Sequence, residues 1–284
     1  MSSGNTWTGY RLLASGDGRR LEEWDGILTD RPESSALWKK PSALPEADGI
    51  YSGETASGGT WSWRRPFPSP CIVSRGALKF EIRPTASKHL GLFPEQASNW
   101  DWITERIAAG GRNVRILNLF GYTGGATLAA AAAGAAVTHV DASRAMVTWC
   151  SDNARLSGLG GAPIRYIAED ALVFLRRELR RGNRYDGIIM DPPSYGRGKG
   201  GELWKLSEHL PLLLEASMAI LSATPHFILL NTYSEEVDAV AGALLEENTG
   251  PLGGTVNNET LGLTGNIDGK FLPLGMAHRW RPSA

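Results

Sequence analysis

From residue 86 onward, apolar runs and helical stretches alternate along the chain. Segment 98–109 reads as a helix, followed by an apolar strand, Val114–Phe120, and a helix, Ala126–Ala133. The alternation continues with strand Val137–Val140, helix Ser143–Ser157, strand Ile164–Ala168 and helix Ala171–Arg181. Strand Tyr185–Met190, helix Leu206–Leu221, strand His226–Thr232 and helix Glu235–Glu247 come next. The tail offers two more strand candidates, Gly254–Leu261 and Met276–Trp280. Strands that alternate with helices of about a dozen residues predict a parallel sheet covered on both faces. Strands buried on both faces read as continuous apolar runs, as these do.

The first 85 residues follow another pattern. Short runs such as Thr60–Trp63, Cys71–Ser74 and Leu78–Arg83 lie between clusters of glycine and proline. Lys79-Phe80-Glu81-Ile82-Arg83 alternates polar and apolar, the period of a half-buried strand. Seven tryptophans (Trp7, Trp24, Trp38, Trp61, Trp63, Trp100 and Trp102) precede residue 110, and only Trp149, Trp204 and Trp280 follow it. The expected organisation is a small β-rich domain over 1–85 and an α/β domain over 86–284. In the first domain the aromatics are read as core packing ahead of a base-stacking platform.

Composition narrows the class. The 284 residues include 29 Lys+Arg and 30 Asp+Glu, a formal net charge of −1. That balance argues against broad, sequence-independent nucleic-acid binding, which depends on many Lys and Arg contacts to phosphate. The longest apolar run, Ala126 to Ala136, is too short to span a bilayer, and Met1 to Arg11 has no apolar signal core. Two cysteines, Cys71 and Cys150, form neither a disulfide framework nor a zinc site. The five histidines are scattered without ligand spacing, so no metal is expected. A cytoplasmic protein is the expectation.

In an open α/β sheet, ligands bind beyond the carboxyl ends of the strands, near the point where strand order reverses. Four strand ends carry distinctive residues. Asn118-Leu119-Phe120-Gly121-Tyr122-Thr123-Gly124-Gly125 is a glycine-containing turn from strand to helix, but not a G-x-G-x-x-G dinucleotide fingerprint. Asp141 ends the second strand, where a carboxylate accepts from ribose hydroxyls; Ser143 is the better helix cap. Glu169-Asp170 ends the third strand, and Asp170 is open between adenine recognition and a cap for the following helix. Asp191-Pro192-Pro193-Ser194-Tyr195 follows a buried strand. Its prolines fix an extended backbone, which leaves carbonyls and the Asp191 carboxylate to face a polar ligand, with Tyr195 placed to stack on a flat one.

Taken together and in this order, these elements resemble class I S-adenosylmethionine-dependent methyltransferases. Asn118–Gly125, Asp141-Ala142-Ser143 and Asp191-Pro192-Pro193 resemble the bacterial 23S rRNA methyltransferase family, which includes cytosine-5 and guanine methylating members. Lys88–Gln96 resembles that family's stretch before the core domain. The resemblance covers about residues 85 to 284. It implies a Rossmann-like, seven-stranded and mostly parallel sheet whose last strand, Met276–Trp280, is antiparallel. It also implies S-adenosyl-L-methionine as cofactor. Asn118, Phe120, Gly121, Thr123 and Gly124 would line its methionine and ribose part. Asp141 would hold the ribose hydroxyls, with Ala142 beside the adenine and Ser143 also at the cofactor, and Asp170 would accept from the adenine amino group with Ala171 nearby. Asp191 and Pro192 would adjoin the reacting methyl, and Gln96 would close over the cofactor.

Two departures bear on the substrate. Cytosine-5 members place a nucleophilic cysteine after the strand that follows Asp-Pro-Pro, and here that position is Tyr233. Covalent attack on a pyrimidine is therefore disfavoured. Residues 1–85 also do not look like the RNA-binding module such enzymes often carry. The expected activity is methylation of an amino nitrogen, with an RNA base, rRNA in kind, as acceptor and with Asp191, Pro192 and Tyr195 at the reacting centre. Alternatives are a small-molecule or protein methyltransferase, or a cofactor-binding scaffold with little catalysis. An NAD-dependent oxidoreductase is opposed by the missing dinucleotide fingerprint. Arg197, Lys199 and Lys205 are candidates for a phosphate-gripping lid, and Arg176, Arg177, Arg180 and Arg181 for a local basic face.

Overall fold

The computed structural model describes residues 6–55, 58–111, 113–197 and 203–283. They form two compact units, Met1–Glu95 with Gly262–Leu274, and Gln96–Leu261 with Gly275–Ala284.

The first unit is all β. Strands β2 (Tyr10–Gly16), β3 (Arg19–Trp24), β4 (Ile27–Pro32), β5 (Gly49–Thr55) and β6 (Gly58–Trp63) form one sheet in sequence order. Only β4 and β5 within it run parallel. Strands β1 (Trp7–Thr8), β7 (Cys71–Arg75) and β8 (Leu78–Ile82) form a second, antiparallel sheet. The aromatics pack on each other as core residues do: Tyr10 lies 4.4 Å from Trp24, and Trp61 stacks 5.0 Å from Trp63. The boundaries differ from the linear division at residue 85. Ile267 N donates to Leu13 O at 2.8 Å, and Asn266 N to Leu12 O at 2.9 Å. Leu272 packs with Leu12 and Ala36. A backbone ladder and an apolar contact therefore tie residues 262–274 to β2, which no local pattern in the tail announces.

A buried charge cluster sits inside this unit. Glu22 is fully buried and accepts from Arg31 Nε at 2.6 Å and from the Tyr10 hydroxyl at 3.0 Å, with Arg20 Nε at 3.5 Å. Burial alone would raise the Glu22 pKa; the two guanidiniums reverse that and lower it.

The second unit contains the expected seven-stranded sheet, in the order β11-β10-β9-β12-β15-β17-β16. Its strands are β9 (Arg115–Leu119), β10 (Ala136–Asp141), β11 (Ile164–Ala168), β12 (Gly187–Met190), β15 (Phe227–Thr232), β16 (Thr255–Thr264) and β17 (Phe271–Arg281). The first five are mutually parallel, and β17 runs antiparallel to β15, as expected. The helices are α1 (Ala97–Gly110), α2 (Gly125–Ala132), α3 (Arg144–Leu156), α4 (Ala171–Arg180), α5 (Leu206–Met218) and α6 (Glu235–Thr249). Two further short strands, β13 (Tyr195–Arg197) and β14 (Leu203–Lys205), pair antiparallel.

Alternate strand residues face opposite sides of the sheet, and here both sides are apolar. Leu117, Leu119, Ile188, Met190, Ile228 and Leu230 join one core with Phe174, Leu210, Leu214 and Leu245 of the helices. Ile116, Ile189, Phe227 and Leu229 join the other with Ile103, Ile107 and Ala130. Gly187 is required by this closeness, since a Cβ there would meet Ile116 and Phe227 at 2.7–2.8 Å. Chain order moves outward from β9 through β10 to β11, then restarts at β12 on the other side of β9. The strand order thus reverses between β9 and β12, and their carboxyl ends open a crevice. Among the described residues no helix is long and apolar enough to cross a membrane.

Replacing Glu22 by Ala leaves Arg20 and Arg31 buried without their carboxylate. Urea unfolding is expected to show a loss of about 3–5 kcal/mol. Arg11→Ala, which breaks an exposed pair with Glu23, should cost under about 1 kcal/mol.

Candidate active site

The turn after β9 is tightly constrained. Phe120 and Tyr122 hold φ values of 56° and 50°, in the left-handed region that side chains seldom occupy. Gly121 N donates to Val140 O at 2.9 Å, and Gly124 N to Gly121 O at 3.0 Å. Beneath the turn lies a layer of buried polar side chains. Asn118 Nδ2 donates to Thr127 Oγ1 at 2.8 Å, and His139 Nδ1 lies 2.9 Å from the same oxygen. Asn153 Nδ2 donates to the Thr123 carbonyl at 3.0 Å. A Cβ on Gly121 would come within 2.4 Å of His139 Nδ1, and one on Gly124, at φ 97°, within 2.3 Å of Cys150 Sγ. Both glycines are therefore fixed first by packing within the protein. Asn118 and Thr123 are buried and support the turn from below, while Phe120 is partly exposed.

Asp141, at the end of β10, is partly buried. Its Oδ2 accepts from Tyr122 N at 2.9 Å and its Oδ1 from Ser143 N at 2.8 Å. Burial raises its pKa, and these two bonds to the ionised form act against that rise. A carboxylate has about four lone-pair sites, so two remain after the backbone bonds. That acceptor set fits the two hydroxyls of a ribose. Ser143 caps α3 through Met146 N at 3.4 Å, as its position predicted, and Ala142 is exposed. Asp170 Oδ1 accepts from Val173 N at 3.0 Å and so caps α4, with Ala171 buried behind it.

Asp191 follows β12 and leads into a chain of polar side chains. Its Oδ1 accepts from the Tyr233 hydroxyl at 2.6 Å. The Tyr233 oxygen accepts in turn from Gln96 Nε2 at 2.7 Å. Gln96 Oε1 accepts from Asn99 Nδ2 at 2.7 Å and from Asn231 Nδ2 at 3.3 Å. Burial pushes the Asp191 carboxyl up to about 6, opposed by its hydrogen bonds to Tyr233 and Asn231. The structure thus places Gln96 beside Tyr233 and within one residue of Asp191. Sequence reasoning missed Asn99, Asn231 and Arg279 in this group. The available signal was polar residues inside otherwise apolar strand and helix faces.

The Asp-Pro-Pro loop is only partly open to a ligand. Pro192 is buried, and the Pro193 carbonyl accepts from Trp204 Nε1 at 2.7 Å. The Ser194 carbonyl accepts from Leu206 N at 2.9 Å. Two of the carbonyls expected to face a ligand are therefore engaged by the protein. Tyr195 is 64% exposed on β13, whereas Trp204 lies 5.4 Å from Phe120 and stacks on His209 at 4.8 Å. Trp204 is thus the aromatic ring that the structure brings to the turn. Both thiols are buried and free. Cys150 is buried against His139, and Cys71 is buried in the first unit with burial raising its pKa to about 12.

Three of the candidate cations are paired: Arg177 meets Glu169 at 2.6 Å, Arg181 meets Glu178 at 3.2 Å and Lys205 meets Glu208 at 3.3 Å. Lys199 and the Arg197 side chain lie outside the described residues. Among the described residues no cluster of three or more His, Cys, Asp or Glu is arranged to hold a metal.

A turn after β9, a carboxylate after β10 and a carboxylate after β12 around one crevice define a nucleotide-cofactor enzyme of the α/β class. Residues 51–234 match the S-adenosylmethionine-dependent methyltransferase family, and the chain belongs to it. Over 97% of its length the chain superposes on 91% of a SAM-dependent methyltransferase from Agrobacterium tumefaciens, with a TM-score of 0.90 and 38% identity. A structure solved in complex with SAH shares the fold at 19% identity and a TM-score of 0.76, over 96% of this chain and 75% of that one. Among curated proteins, ribosomal RNA large subunit methyltransferase I of Aeromonas salmonicida is 27% identical over 58% of this chain and 38% of its own length. Ribosomal RNA large subunit methyltransferase K/L of a Shewanella species is 33% identical over 56% of this chain. The matched region is 22% of that protein, so the chain covers well under half of either curated relative.

His139 is neutral under the turn because burial lowers its pKa from 6.5 to about 4. Between those values the unfolded chain binds the extra proton, so stability rises with pH and is lost as pH falls. From pH 7 to pH 5 His139 should account for a loss of about 2 kcal/mol. Urea titrations should show that part of the loss disappear in His139→Gln.

Proposed function

We propose that this protein transfers a methyl group from S-adenosylmethionine to an amino nitrogen of a base in RNA, with ribosomal RNA as the substrate class. The observation that carries the reading is the Asp191 carboxylate. It follows β12, hydrogen-bonded to a phenol and beside two prolines, and that phenol, Tyr233, stands at the position where a cysteine-covalent mechanism needs its thiol. The names of the curated relatives support RNA as substrate.

When bound, S-adenosylmethionine supplies a methyl that its sulfonium already makes electrophilic. The protein's own task is to position the acceptor and to shape the field around it. Asp141 would accept from the ribose hydroxyls through its two remaining acceptor positions. The backbone of Phe120, Gly121, Thr123 and Gly124 would cradle the rest, held up by Asn118 and His139. Asp170 uses one oxygen as a cap, and its other oxygen would accept from the adenine amino group beside Ala171. Ala142 and Ser143 would edge the same surface. Gln96 would act on the far side through Tyr233.

At the reacting centre Asp191 would accept from an exocyclic N–H and so raise the nucleophilicity of the nitrogen. Pro192 would shape the pocket floor. With the Pro193 carbonyl held by Trp204, the acceptor contacts fall to Asp191 and to the Pro192 carbonyl. Trp204 and the exposed Tyr195 are the rings available to a flat base. Covalent cysteine catalysis has no support, since Tyr233 stands where that mechanism needs a thiol.

Asp191→Ala should lower methyl transfer to RNA about 100- to 1,000-fold while SAH affinity, read by calorimetry, changes less than about fivefold. An active variant would remove Asp191 from the reaction. Asp141→Ala should instead abolish measurable SAH binding. Since Asp191 must be ionised and titrates at about 6, the rate should fall about tenfold per pH unit below 6 and level off above 7.

A further inference from the structure

The side chains behind Asp191 form a hydrogen-bond chain whose direction is fixed at its buried end. Arg279 has only donors, and its Nε donates to Asn99 Oδ1 at 2.8 Å. Its guanidinium is held on Ser98 Oγ at 3.1 Å and on Glu259, and lies over the Trp102 ring. Asn99 must therefore present its Nδ2 elsewhere, and it does so to Gln96 Oε1 at 2.7 Å and Asn231 Oδ1 at 2.9 Å. With Oε1 accepting, Gln96 presents Nε2 to the Tyr233 oxygen at 2.7 Å. The phenol has one hydrogen, and with its oxygen already accepting, that hydrogen goes to Asp191 at 2.6 Å. Asn99, Gln96 and Asn231 are all buried, so none of these amides turns over without leaving a polar group unpaired. The ring itself is seated: a Cβ on Gly275 would come 2.8 Å from Tyr233 Cδ1.

We propose that Tyr233 is a positioning residue for methyl transfer, and that the Arg279–Asn99–Gln96 chain locks its hydroxyl as a donor to Asp191. The Tyr233 hydrogen takes one lone pair of Asp191 Oδ1 and favours the carboxylate form, and the acceptor positions left after the Tyr233 and Asn231 bonds accept from the acceptor's N–H. This rests on the reading that Asp191 serves the methyl acceptor. The lock itself does not depend on which acceptor is used.

Among the described residues Tyr233 and Asn231 act on Asp191 directly, and its carboxyl stands at about 6 with their bonds opposing burial. Arg279 and Glu259, on β17 and β16, connect to it through Asn99 and Gln96. The acidic first turn of α6, Glu235, Glu236 and Asp238, follows Tyr233, and Asp238 Oδ1 accepts from Ser234 N at 3.2 Å.

The test is a carboxyl titration followed by NMR on the full chain with ¹³C-labelled aspartate, Asp191 being assigned by its loss in Asp191→Asn. Tyr233→Phe should raise the Asp191 midpoint by about one pH unit, because the bond it removes favours the ionised form. Gln96→Leu should raise it by a smaller amount, because the phenol is then free to turn. Thermal unfolding followed by circular dichroism on each variant checks that the domain is folded. An Asp191 midpoint unmoved in both variants overturns the lock. If Tyr233→Phe does not fold, Gln96→Leu decides alone. Should Asp191→Asn keep methylating RNA while the midpoint still moves in Tyr233→Phe, the acceptor role of Asp191 fails and the lock stands.

Discussion

The parallel strands of the second unit are apolar on both faces, and that constraint decides where chemistry can sit. A strand covered on two sides has no position for a working carboxylate along its length. Polar groups must wait for the residue where the ladder stops. Asp141 is the last residue of β10, and Asp170 and Asp191 follow β11 and β12. Because chain order reverses between β9 and β12, two of the ends face one crevice instead of a continuous helix layer.

The same constraint shapes the supports beneath the site. Asn118 and His139 are exceptions to the apolar rule inside β9 and β10, and they meet on Thr127 below the strained turn. Asn231 and Arg279 are the corresponding exceptions in β15 and β17, and they meet on Asn99 and Gln96 behind Asp191. These four polar residues admitted to covered strands thus hold the segments around the proposed site. The two acids differ in consequence. Asp141 accepts two backbone N–H bonds, whereas Asp191 is bonded by side chains, Tyr233 and Asn231.

Much of this was legible in the chain. The alternation of apolar strands and helices predicted a parallel sheet covered on both faces, because burial on both faces writes itself into sequence as unbroken apolar runs; the count of seven strands and the antiparallel last strand came from the family resemblance. The positions of Asp141, Asp170 and Asp191 followed from where those runs stop. The tail's tip at residues 262–274 did not follow, because its pairing with β2 joins residues some 250 positions apart. Trp204 was hidden by a glycine-rich stretch, and Tyr195, next to the prolines, looked the better stacking ring. Gln96 was singled out by resemblance, but its partner Tyr233 lies 137 residues away, and only folding shows that the two touch.

The central claim is that the nucleophile is an amino nitrogen of an RNA base, positioned by Asp191 without a covalent bond to the protein. The most direct measurement is mass spectrometry of nucleosides from RNA incubated with the protein and methyl-labelled S-adenosylmethionine. The account predicts label on the exocyclic nitrogen of a single base. Label at C5 of a pyrimidine, or label found only in protein or small molecules, would contradict it.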